Sequence, residues 1–270
     1  MKKLILLFLF SFTLFAQETF ETKSFHENTI VYLREKFKGY NLNEILVVHD
    51  IDNTLLAHDH PLGSDQWFRW QMGLLGTSDP NRVADDFEGL LQAYFVATND
   101  DLATMRLTDK GIPKYLQLLS QNQIASLFLT ARGPEQALGT FRELARNNLY
   151  SPNNPFKTVI KETDPKILDF KRLISFDKGI ALINGEDKGK FLKYLIKKEK
   201  LNFKLIVLVD DQIKNINNLH LAFKNSGIIT LGLRFGAEDN NVKLFHQNPK
   251  EKVIQDFENL KQRHCSAFFK

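Results

Sequence analysis

Three segments, ILVV at 45–48, SLFL at 126–129 and LIVLV at 205–209, are apolar or nearly so along their whole length. A strand with one wet face alternates apolar and polar residues. An unbroken run belongs to a strand covered on both faces, as in parallel sheets. Helical patterns of ten or more residues separate the runs, at 110–121, from Gly133-Pro134 to about 147, at 189–198 and at 213–224. Strands alternating with such helices predict an α/β fold with a Rossmann-like, mostly parallel sheet. An amphipathic helix is expected over 25–37, further strands near 156–160 and 227–233, a strand or hairpin within 173–183, and a helical tail over 250–261. Between the first two runs, 56–107 shows no strand signal. It holds a Trp-rich loop at 63–70 and a helical pattern near 84–96, so a small, mainly helical insertion over 56–108 is expected after the first strand.

The N-terminus is a separate matter. Met1-Lys2-Lys3 precedes LILLFLFSFTLF and then Ala16-Gln17. A basic start, about a dozen apolar residues and a small residue match a secretory signal peptide, expected over 1–16. The run is short for a membrane span, which needs about 20 residues. Export to a periplasm or the medium is the expectation, with no stable membrane anchor once the leader is cut. Cys265 is the single cysteine, so no intramolecular disulfide supports the chain. Net charge is +4, and two of the lysines lie in the leader, which is too mild a balance to argue for nucleic acid. At 43% hydrophobic residues, the remaining 17–270 can bury the core of one domain with an insertion.

The apolar runs end in chemistry. The first leads into Asp50-Ile51-Asp52-Asn53-Thr54, the second into Thr130-Ala131-Arg132, and the third into Asp210-Asp211. Ligands of open α/β sheets lie beyond the C-terminal strand ends. Asp50 and Asp52, two apart in extended chain, face the same way. Four carboxylates gathered there repel one another unless a cation joins them, and all-oxygen donors suit Mg²⁺. Lys188, opening the helix before the third run, adds positive charge. The Thr130 hydroxyl can bind phosphate oxygens, and a carboxylate can attack a phosphoryl group while a second moves protons.

HDIDNT, SLFLTAR, EDKGK and LIVLVDDQ stand in the order and contexts of the four motifs of the haloacid dehalogenase (HAD) superfamily. The chain resembles its phosphatase branch, and secreted bacterial HAD-like acid phosphatases and their uncharacterised relatives in particular. The resemblance implies Asp50 as nucleophile, Asp52 as general acid/base, Thr130 as phosphate binder and Lys188 as the charge-neutralising lysine. It implies Mg²⁺ held by Asp50, the Asp52 carbonyl and the Asp210/Asp211 pair, with Asp210 favoured for direct contact. An acid at position 52 implies hydrolysis of a phosphate monoester, or phosphotransfer, on a small substrate such as a nucleotide or sugar phosphate. Thr54 and Arg132 are the expected substrate-binding residues beside it, with a surface ion pair as the other reading of Arg132. The insertion stands where such enzymes place a cap.

Several residues carry two readings. Asp177-Lys178-Gly179 repeats the pattern around Lys188, so Lys178 is the alternative motif lysine. His49 is expected to point inward, and His58 and His60 to lie in a solvated flap. Glu186 and Asp187 are expected to cap the helix after them. Trp67, Phe68 and Trp70 either stack on a substrate ring or pack the insertion against the core. The rival to an enzyme is an exported binding or host-interaction protein that keeps the fold without the chemistry.

Overall fold

The computed structural model describes residues 17–150, 153–163 and 170–264. The expected signal peptide and Cys265 lie outside the described residues. Along the chain run β1 (Glu18–Thr22), α1 (Glu27–Phe37), β2 (Ile45–His49), β3 (Leu56–His58), α2 (Asp65–Leu74), α3 (Phe87–Asn99) and β4 (Met105–Leu107). Then come α4 (Ile112–Gln121), β5 (Ala125–Thr130), α5 (Ala137–Arg146), β6 (Ile160–Thr163), β7 (Ile174–Asp177), β8 (Ile180–Leu182) and α6 (Lys188–Glu199). The chain continues through β9 (Leu205–Asp210), α7 (Ile213–Phe223), β10 (Ile229–Phe235), α8 (Asp239–Gln247) and α9 (Glu251–His264).

Eight strands form one sheet in the order β1-β10-β9-β2-β5-β8-β7-β6. Every pairing from β1 to β8 is parallel, and β7 and β6 add an antiparallel edge. This is the α/β, mostly parallel, Rossmann-like sheet that the sequence predicts and that a HAD-like fold requires. Strands β2, β5 and β9 are buried at every residue. Their side chains divide by pleat. Ile45, Val47, Phe128, Val207 and Val209 enter a core with α1 and α4. Leu46, Val48, Leu127, Leu129, Ile206 and Leu208 enter another with α6 and α7. Strand β2 lies between β9 and β5, so the chain leaves it on opposite sides. That is the switch point at which a crevice opens beyond the strand ends.

The insertion departs from the expectation of no strands. Leu56–His58 pairs antiparallel with Met105–Leu107, closing it at its root. The expected Trp-rich loop is helix α2, whose N-cap Ser64 accepts a bond from the Trp67 backbone N–H at 3.2 Å. Trp67 is fully buried with Leu90, Ala93 and Val96 of α3 and Phe245, Val253, Phe257 and Leu260 of the C-terminal helices. Trp70 lies edge-on to Phe245. Packing is therefore the role of both tryptophans. The expected strand at 156–160 falls instead at β6, and Phe156 is buried in the core outside any strand.

Candidate active site

Strand β2 carries the chain into a tight turn. Ile51 accepts backbone bonds from Thr54, Leu55 and Leu56, and Asn53 sits at φ +57°, in the left-handed region asparagine tolerates. The turn sets Asp50 and Asp52 at the end of the strand. From β9, Asp210 and Asp211 arrive beside them, and Thr130 comes from the end of β5. Asp187 caps α6 by accepting the Lys190 N–H at 2.8 Å, which fixes Lys188 in the first turn. Gly189 lets that turn lie against α7, because a Cβ there would stand 2.7 Å from the Asn218 carbonyl oxygen and 2.8 Å from Ala222 Cβ.

Lys188 is buried, and its Nζ donates to Asp50 Oδ1 at 2.5 Å and to Asp210 Oδ2 at 2.6 Å. Burial opposes its charge, but Asp210 and Asp50 outweigh burial and hold the ammonium protonated. Burial and the neighbouring acids Asp210 and Asp52 lift Asp50 above the usual carboxylate range against the pull of Lys188. Lys178, by contrast, is exposed in the turn between β7 and β8, so Lys188 is the lysine that meets the acids.

Asp50, Asp210 and Asp211 are buried and each brings a carboxylate oxygen within 4.8 Å of the others. One lysine facing three acids leaves negative charge to be matched, and the donors are all hard oxygens. Such a set fits a divalent cation of the Mg²⁺ type. The two acids of β9 differ in their partners. Asp210 Oδ1 accepts from the Gln212 N–H at 2.8 Å and Asn215 Nδ2 at 2.9 Å, and Oδ2 accepts from Lys188 and from Asn215 at 3.1 Å. Its lone pairs are occupied. Asp211 accepts only from Gln212 Nε2 among the described residues, and burial with Asp50 and Asp210 pushes its carboxyl well up. Among the described residues Asp211 thus accepts fewer hydrogen bonds than Asp210.

The two expected substrate-binding residues contact the acids. Thr54 is fully buried. Its hydroxyl donates to Asp50 Oδ2 at 3.2 Å and accepts from the Asp211 N–H at 3.0 Å, so it braces the acids and does not face a ligand. Arg132 is buried and grips Asp52 in a fork, Nε to Oδ2 at 2.8 Å and Nη2 to Oδ1 at 2.7 Å. Burial alone would raise Asp52, but this guanidinium prevails and holds the carboxyl below its usual range. Thr130 bridges the two, with its hydroxyl 3.4 Å from Asp52 Oδ2 and accepting the Arg132 N–H at 3.1 Å.

The histidines fall into place around this frame. His49 is buried, bonds to the Tyr115 hydroxyl at 3.0 Å and lies edge-on to Phe128. Burial pushes it down to about 4, so it is a neutral core residue. His58 is not in a solvated flap. It is half-buried in β3, 3.3 Å from Arg132 Nη2, and burial and that cation push it down to about 3. His60 is exposed.

The chain matches the family described as "Protein of unknown function (DUF2608)" over residues 21–265. It belongs to that family. No curated protein matches this DUF2608 chain. A crystal structure from Thermotoga maritima assigned as a beta-phosphoglucomutase is 11% identical, with a TM-score of 0.35, covering 74% of this chain and 99% of that one.

The DUF2608 cleft contains residues that the motifs did not mark. About 210 Å³ of space is lined by the acids and Lys188, by Phe68, Arg69, Met72, Phe87, Leu91 and Tyr94 of the insertion, and by Arg172 and Asn184 opposite. Arg69 pairs with Asp65 at 2.8 Å and reaches Gln212 Oε1 at 3.3 Å, carrying α2 across the acids. Asn215, five residues past Asp210 on the first turn of α7, was legible as a helix-borne amide near the motif. Arg172 had no sequence signal.

Proposed function

We propose that this chain is a Mg²⁺-dependent, HAD-type hydrolase of phosphate monoesters. The observation that carries the reading is the bridge of Lys188 between Asp50 and Asp210 with Asp211 left unmatched beside them. A lysine that neutralises a nucleophile, next to an acid cluster in need of a cation, is a receptor for a phosphoryl group. Asp50, Asp211 and the Asp52 carbonyl are the proposed cation ligands, and the cation supplies charge neutralisation at the phosphoryl oxygens. The insertion over 56–108 is the proposed cap.

In the reaction, Lys188 and the Thr130 hydroxyl hold the phosphoryl oxygens. Asp50 attacks phosphorus in line, forming the aspartyl-phosphate as the ester P–O bond breaks. The departing alkoxide takes a proton from Asp52. Water then attacks the aspartyl-phosphate while Asp52 accepts its proton, releasing inorganic phosphate and Asp50. In the state described, Asp52 is an ionised acceptor in the fork of Arg132. As an acid it must first leave that fork and take up a proton, so substrate entry and release of Arg132 belong to one step.

The test is Mg²⁺-dependent release of phosphate from phenyl phosphate by residues 17–270, beside Asp50→Asn. Activity that needs the metal and vanishes in the variant supports the reading, whereas equal activity in the variant removes Asp50 as nucleophile. No turnover by the wild type shifts the fold to the binding-protein alternative. The leader-like run at 1–16 supports export as part of the same reading. Among the described residues no helix is long and apolar enough to cross a membrane.

A further inference from the structure

Most charges in the cleft are answered by a partner. Lys188 matches Asp50 and Asp210, Arg132 matches Asp52, and Arg69 matches Asp65. Arg172 is different, because among the described residues it makes no ion pair. It is nevertheless held in place. Glu186, expected only as part of a helix cap, instead accepts the backbone N–H groups of Lys171 at 2.7 Å and Arg172 at 2.9 Å. Arg172 Nη1 donates to the Asn184 carbonyl at 3.0 Å, and its guanidinium lies 5.9 Å from the centre of the Phe87 ring. Gly185, at φ +73°, keeps room for it, since a Cβ there would stand 2.8 Å from Nη1. A long side chain anchored at both ends, with donors of its fork unspent, is a preorganised anion receptor.

The wall beside it is apolar. Met72 is 40% exposed and Phe87 37% exposed, although both are large hydrophobic side chains at the cleft. Phe68 packs on Tyr94 with ring centres 4.5 Å apart, presenting an aromatic surface. Space sets the size of what can lie there. A cavity of about 150 Å³ holds one benzene ring, so about 210 Å³ has room for a phosphoryl group and one ring.

Resting on the phosphatase reading, we propose that the substrate is a small phosphate monoester with a single-ring body and a second anionic group, which Arg172 binds while the ring lies against Phe87, Met72 and Phe68. Such a molecule spans the cleft from the acids to Arg172. Monoesters without the second anion leave the guanidinium unmatched and bind less well.

The experiment compares 3- and 4-carboxyphenyl phosphate with the corresponding neutral carboxamides, in kcat/KM, for the wild type and Arg172→Gln. The wild type is expected to favour one carboxylate isomer over its carboxamide by at least tenfold, and R172Q to reduce that ratio to within about twofold. A wild type without the preference, or a preference that survives in R172Q, overturns the inference. Calorimetric binding of 4-carboxybenzylphosphonate against benzylphosphonate separates the two layers. Carboxylate-selective binding without turnover sinks the hydrolase and keeps the ligand class. Turnover of every ester with no selectivity keeps the hydrolase and sinks the ligand class.

Discussion

Replacing Asp211 with Asn should stabilise the metal-free protein while abolishing its response to Mg²⁺. Asp211 keeps one acceptor for Gln212 Nε2 after the change, so the packing is preserved and only the charge is removed. Two carboxylates 4.8 Å apart repel by about 3.5 kcal/mol at an effective dielectric of about 20. Lys188 offsets part of that through Asp50 and Asp210, leaving roughly 1–3 kcal/mol to be relieved. At about 2–4 °C per kcal/mol for a chain of this size, the melting temperature of D211N in EDTA should rise by roughly 2–12 °C at pH 8. The pH dependence has a definite sign. The raised carboxyl of Asp211 means that the folded state holds a proton the unfolded chain releases, so wild-type stability falls as pH rises from the ordinary aspartate range. The gap between variant and wild type should therefore be small at pH 4 and largest at pH 8. Mg²⁺ should then lift the wild type and leave D211N unmoved. A variant less stable than the wild type in EDTA, or one with an undiminished Mg²⁺ shift, would refute the assignment of Asp211 as the unmatched acid.

Three further outcomes follow from the packing and the charges. Arg132→Met removes the cation that holds Asp52 ionised, so Asp52 keeps the proton it donates to higher pH and the alkaline limb of the pH–kcat/KM profile should move upward. An unmoved limb would show that Asp52 does not set it. Gly189→Val drives a side chain into the Asn218 carbonyl and Ala222, at a cost of about 1–3 kcal/mol in urea unfolding, and displaces Lys188. Activity should fall at least a hundredfold in the folded variant, and a folded, fully active one would free Lys188 from its assigned role. Trp67→Ala should cost about 3–5 kcal/mol by the same unfolding measurement, and a loss below about 1 kcal/mol would mean the insertion is not bound to the C-terminal helices as described.

What the sequence displayed and what it concealed differ in physical kind. Strands β2, β5 and β9 were visible because two-sided burial leaves no polar position, and the acids were visible because they interrupt such runs. The hairpin of β7 and β8 falls within 173–183, where weak alternation leaves a strand or a hairpin open. Helix α2 was hidden, since its buried positions Trp67 and Gln71 include a polar residue and its aromatics also occupy the cleft side. Strands β3 and β4 have three residues each, too few to show a period. Strand β1, with alternating burial, was overlooked between the leader and α1, and α8 buries only Phe245 along its helix. At the site, residue types were legible but their partners were not. No local pattern says that Arg132 turns onto Asp52, that Thr54 braces Asp50, or that Asn215 consumes Asp210. Those pairings arise from strands brought together across the sheet.

The third hydrophobic core joins Trp67 and Leu90 to Phe257 and Leu260, made far later. A ribosome delivers the chain from its N-terminus, so this apolar face of the insertion lacks its partner until α8 and α9 have been made. The wall carrying Phe68 cannot settle until α9 has arrived. A product truncated after β10 would own every acid and the lysine, yet would hold them beneath a roof with no support.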